Sequence, residues 1–158
     1  MIKNLKYFFQ AIIIYLFFIF GKLIGLNASQ KIFSFIFQKL GPLFKSKKII
    51  DNNLEIYSKN ISKNEKETII KNMWSNYGKT FIEYVFLNIY KKTKTYVTFE
   101  GEEIINKIFD DKKPVIFVSG HFANFELMSM EIVKKKVDLA TIYRPLNNYF
   151  LNPFMEFL

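Results

Sequence analysis

Cysteine is absent from the 158-residue chain, which excludes disulfides, thiolate metal sites and a cysteine nucleophile. A single histidine without cysteines also leaves a structural zinc ion short of ligands. Glycine and proline are sparse, six and four, and no Gly/Pro/Ser-rich linker, internal repeat or low-complexity stretch divides the chain. Acidic residues are missing from the first 48 positions, which hold eight lysines (3, 6, 22, 31, 39, 45, 47 and 48). Nearly all of the net charge of +9 therefore belongs to this segment, since the remainder carries 15 basic and 14 acidic groups. Arginine occurs once, at Arg144, against 22 lysines.

What the N-terminal segment does have is a long apolar run. Tyr7 to Leu26 reads YFFQAIIIYLFFIFGKLIGL, broken only by Gln10, Lys22 and two glycines. Three readings fit: a transmembrane helix with Lys22 snorkelling, a helix inserted into one leaflet, and a signal peptide with its small-residue site near Ala28. Ile32, Phe33, Ile36, Phe37 and Leu40 follow at helical spacing, flanked by Lys31 and Lys39. Lysines interleaved with Phe, Ile and Leu suit an anionic membrane surface better than a nucleic acid, so no nucleic-acid partner is expected. The stripe reads as an interfacial helix, with a core-packing helix as the alternative. Residues 1–48 thus form a hydrophobic, basic membrane anchor with an interfacial helix.

Residues 49–158 read as globular. Ser62 and Glu65 have the spacing of a capping box opening a helix whose apolar face runs through Ile70, Trp74, Tyr77, Phe81 and Tyr84. Tyr96–Phe99, Val115–Ser119 and Leu139–Tyr143 have the composition of strands, alternating with helical stretches from Glu102 to Phe109 and from Phe122 to Lys136. That alternation predicts an α/β fold of βαβ units with a mainly parallel sheet. Three strands do not complete such a sheet, and the last residues begin an apolar helical pattern, so the domain is expected to be incomplete at its C-terminus.

The chemistry concentrates at His121. It follows Gly120 at the end of the apolar run, and Glu126 comes after four intervening residues. Gly120 allows an unusual backbone angle and close approach of a substrate, and Asn124 supplies a nearby amide. A carboxylate holding one imidazole nitrogen fixes the tautomer and makes the other nitrogen a base. No G-x-S-x-G elbow is present, so the base is expected to act on a substrate hydroxyl. The lone histidine could equally be a structural residue. Arg144, closing the next strand, offers a planar fork for phosphate or carboxylate and would share the histidine's sheet edge; a capping or surface role is the alternative.

The stretch GHFANFE, residues 120–126, resembles the His-x4-Glu motif of the bacterial lipid A late acyltransferases, with Ala123 and Phe125 where that family has glycine and tryptophan. IYRPLN, residues 142–147, resembles its V-Y-R-P-x-x-N segment. Lys45 to Tyr57, with Asn53 and Leu54, is similar to its basic stretch ending in Asn-Leu, and Tyr77, Gly78 and Glu83 to a further helix motif. The resemblance implies a glycerolipid-acyltransferase-like domain behind the membrane helix. It also implies transfer of a fatty acyl group from acyl carrier protein to a hydroxyl of a lipid A precursor, on the cytoplasmic side of the bacterial inner membrane. His121 would be the general base, Glu126 its orienting partner, and Gly120, Asn124 and Arg144 substrate-binding residues, without metal or cofactor. A glycerolipid or ornithine-lipid acyltransferase, and a non-catalytic remnant of such an enzyme, are the competing readings.

Overall fold

The computed structural model describes residues 2–93 and 96–157. Eight α-helices follow one another among them: α1 (Ile2–Ile24), α2 (Leu26–Leu40), α3 (Lys47–Tyr57), α4 (Lys63–Glu83), α5 (Leu87–Lys92), α6 (Glu102–Asp111), α7 (Glu126–Lys134) and α8 (Asn152–Phe157). Short 3₁₀ turns at Gly41–Leu43 and Tyr84–Phe86 link α2 towards α3 and α4 to α5. The chain divides into two compact units. One holds Phe18–Tyr84, the other the earlier part of α1 together with the chain from Val85 onward.

The 23 residues of α1 contain no proline and, before Gly21, no glycine, so nothing interrupts the helix. It breaks at Gly25, whose φ of 82° a side-chain-bearing residue adopts only under strain. The buried Ser29 hydroxyl donates towards the Gly21 and Gly25 carbonyls, at 2.7 and 2.6 Å, adding a side-chain bond to acceptors that already take the Gly25 and Ser29 backbone N–H groups, and so holds the junction from inside. Most of α1 is exposed: only 17% of its most apolar window is buried, too little for the core helix of a soluble domain. By length and composition the helix can cross a membrane.

In the Phe18–Tyr84 unit, α2 and α4 pack in opposite directions. Gln30 donates to Glu83 at 2.6 Å, and the Ser34 and Ser75 hydroxyls meet at 2.7 Å further along. Phe81 is the hub, its ring 5.1, 5.8 and 5.4 Å from those of Phe18, Phe33 and Phe37. The helices approach so closely that a Cβ on Gly78 would collide with the Phe33 carbonyl. Phe33 and Ile82 are fully buried here, each contributing roughly 1.5–3 kcal/mol by removal from water. The apolar stripe of α2 therefore serves this packing in large part, through Phe33 and Phe37. Of the capping box at the start of α4, the hydroxyl half is formed: Ser62 accepts from the Glu65 N–H at 3.2 Å.

In the second unit α7 is tied to its neighbours by lysines. Lys134 donates to the Tyr90 carbonyl of α5 at 2.7 Å and pairs with Glu131 at 2.5 Å, while Lys135 pairs with Glu102 of α6. Phe86, Tyr90, Ile105 and Ile132 are among the unit's buried side chains. The C-terminal apolar residues find their partner at the other end of the chain. Phe150 meets Phe8 at 5.5 Å and Phe154 meets Tyr15 at 6.3 Å. Asn148 donates to the Tyr7 carbonyl and the Tyr15 hydroxyl to the Phe150 carbonyl, both at 2.9 Å.

The expected α/β class with a mainly parallel sheet is not what forms. Among the described residues there is no strand, and the class is all-α. Val115–Ser119 and Leu139–Tyr143 run without a ladder partner, and their apolar side chains face outward: Ile116 is 89% exposed, Val118 90%, and Ile142 fully so. A β-branched run signals compatibility with a pleated, covered surface. The hydrogen bonds that make it a strand must come from a distant segment in the right register, and here none supplies them.

Candidate functional site

His121 sits in a tight turn, not at a strand end. The Phe122 N–H donates to the Gly120 carbonyl at 2.9 Å, an i→i+2 bond with His121 at its centre. Since His121 is not among the positive-φ residues, this is the common inverse γ-turn. The turn puts the imidazole on the surface, with one ring contact, to Phe125 at 4.2 Å between centroids and 49° between planes. Ala123 completes the reversal in the left-handed region at φ 47°, and Asn124 follows, buried. The Asn124 and Phe125 carbonyls accept from Leu127 and Met128, both at 3.2 Å, launching α7.

Glu126 is the first residue of α7, where the helix dipole favours a carboxylate. The two groups thus flank one short turn. No hydrogen bond or ion pair joins His121 to Glu126 among the described residues, and the imidazole rests on Phe125 instead. Gly120 is not in the left-handed region. Its lack of a side chain makes room for the Phe122 ring, which would lie 2.6 Å from an added Cβ. The position with the unusual angle is Ala123, a role that sequence reasoning gave to Gly120. Its signal was available, because Ala123 stands where the resembling motif carries glycine.

Arg144 lies in the irregular stretch before Pro145, exposed, with no hydrogen bond or ion pair among the described residues. The sheet edge it was expected to share with His121 does not exist, because the sheet does not form. Its guanidinium is nonetheless open to an external anion. The described residues contain no group of three or more His, Asp or Glu positioned to hold a metal ion.

The site thus presents an exposed imidazole on a turn, a carboxylate at the following helix start, and an unengaged arginine in the same unit. The comparisons with known proteins bear on what such a site serves. No curated protein and no solved structure matches the chain. The family model described as bacterial lipid A biosynthesis acyltransferase matches residues 2–156, almost the whole sequence. The chain belongs to the bacterial lipid A biosynthesis acyltransferase family.

Proposed function

We propose that the protein moves a fatty acyl group from the thioester of acyl carrier protein to a hydroxyl of a lipid A precursor, at the cytoplasmic face of the inner membrane. His121 is the general base. One imidazole nitrogen takes the acceptor hydroxyl's proton as its oxygen attacks the thioester carbonyl. The tetrahedral intermediate collapses, the C–S bond breaks as the C–O bond is kept, and the imidazolium returns the proton to the leaving thiolate. Glu126 holds the other nitrogen during the cycle, which requires the imidazole to turn from Phe125 towards the carboxylate when substrate binds. Arg144 takes an anionic group of donor or acceptor, and Gly120 and Asn124 shape the acceptor pocket. Anchoring falls to α1, whose apolar surface is largely uncovered and whose neighbourhood is purely basic.

The observation that carries this reading is the family match across residues 2–156, with His121 on an exposed turn and Glu126 at the start of the helix that follows it. The test is acyl transfer by the detergent-solubilised chain, supplied with acyl-acyl carrier protein and a lipid A precursor and read by the acceptor's mass. Turnover is expected, with His121→Ala lowering it by about two to four orders of magnitude. Turnover untouched by His121→Ala would remove the base from the mechanism. A chain that binds acceptor without any turnover would be a non-catalytic relative.

A further inference from the structure

The turn between α2 and α3 points its apolar side chains away from the protein. Leu43 is 79% exposed and Phe44 84%, with Leu40 and Ile49 half exposed on either side. The back of this turn is seated firmly: Gly41 is buried so close beneath Trp74 of α4 that a Cβ there would enter the indole ring. The Phe44 N–H closes the turn on the Gly41 carbonyl at 2.9 Å. Leu43 and Phe44 therefore belong to an ordered turn held from behind. Lys39, Lys45, Lys47 and Lys48 flank them along the chain, Lys39, Lys47 and Lys48 exposed. The first carboxylate in the chain, Asp51, is already paired with Lys66 at 2.9 Å.

Exposed apolar tips flanked along the chain by four lysines and no carboxylate before Asp51 match one kind of partner, a bilayer with anionic headgroups. The tips enter the acyl boundary while the ammonium groups stay at headgroup level. We infer that Leu43 and Phe44 form a wedge that inserts into an anionic membrane surface, a second attachment besides α1. The inference rests on the membrane part of the proposed function and adds a defined site to it. The turn becomes the membrane-facing end of the Phe18–Tyr84 unit, while Phe33 on the preceding helix is spent on packing against α4.

The absence of cysteine makes the test direct. Single-cysteine variants of the full chain, Leu43→Cys, Phe44→Cys, Ile13→Cys and Asn60→Cys, are labelled with a polarity-sensitive fluorophore and reconstituted in phosphatidylcholine vesicles with or without phosphatidylglycerol. Bromolipid quenching reports which labels enter the bilayer. Labels at 43 and 44 should be quenched in phosphatidylglycerol vesicles and the Asn60 label should not. The Lys45→Gln/Lys47→Gln/Lys48→Gln background should reduce insertion at 43 and 44 by about fivefold per lysine. Quenching at 13 with labels 43 and 44 in water overturns the wedge and leaves the α1 anchor standing. Labels in water at all three positions overturn both. Quenching at 43 and 44 without quenching at 13 makes the wedge the attachment and overturns the α1 anchor. Equal insertion without phosphatidylglycerol overturns the role of the lysines.

Discussion

Ala123 carries a backbone conformation that costs an L-residue about 1–2 kcal/mol, and it does so two positions beyond His121. Replacing it by glycine removes that strain, at the expense of a more flexible unfolded chain, so Ala123→Gly should stabilise the protein by about 0.5–1 kcal/mol. Thermal unfolding in detergent would read this as a raised midpoint; a lowered one would mean the left-handed turn is not the resting conformation. Arg144 poses a different question, since its guanidinium has no partner to lose among the described residues. If it binds a phosphate or carboxylate through both arms of the fork, Arg144→Lys should keep the fold and the charge yet weaken substrate affinity roughly tenfold or more, as a raised KM at unchanged midpoint. At this scale the motif was legible and its geometry was not. Residues 120–126 announce a histidine and a carboxylate near one turn, and the glycine of the resembling motif at position 123 marks the positive φ, but the ring contact that holds His121 on Phe125 is in no spacing rule.

At the scale of elements, α2 and α4 could be read from periodicity, because an apolar face at helical spacing is a local property that packing then confirms, and α1 from the length of its apolar run. The strands could not. Val115–Ser119 and Leu139–Tyr143 have strand composition, but strand formation is a pairing event, and their side chains lie uncovered. Lys134, Lys135 and Lys136 at the end of α7 read locally as a complement to the helix dipole, whereas Lys134 and Lys135 reach α5 and α6. The α2–α4 contact gives the sharpest element-scale expectation. Gly78→Ala gains about 1 kcal/mol of intrinsic helix propensity, but its Cβ meets the Phe33 carbonyl and lies 3.0 Å from the Phe37 Cβ. Backbone cannot rotate away as a side chain can, so overpacking wins and the net effect should be a loss of about 1–2 kcal/mol. An unchanged denaturation midpoint would show that the helices cross further apart.

For the whole molecule, the two chain ends are one problem. The apolar side chains after Tyr149 need a surface, and α1 provides it through Phe8, Tyr15 and the Tyr7 carbonyl. The helix that can cross a membrane is therefore also a structural partner of the unit that holds His121, Glu126 and Arg144. Removing residues 2–24 should accordingly do more than detach the protein from membranes. In detergent, where anchoring is irrelevant to an assay with soluble donor and dispersed acceptor, the shortened chain should lose most of its turnover. Limited proteolysis should cut it between Pro145 and Phe157 more rapidly than it cuts the intact chain. The pair Tyr15→Phe and Asn148→Ala, which deletes both hydrogen bonds while leaving α1 in place, should reproduce part of that sensitivity, each bond contributing about 0.5–1.5 kcal/mol. A shortened chain that keeps full turnover and resists protease as the intact one does would mean that α1 is an anchor alone, and that the contacts of Phe150 and Phe154 with it are incidental to the site.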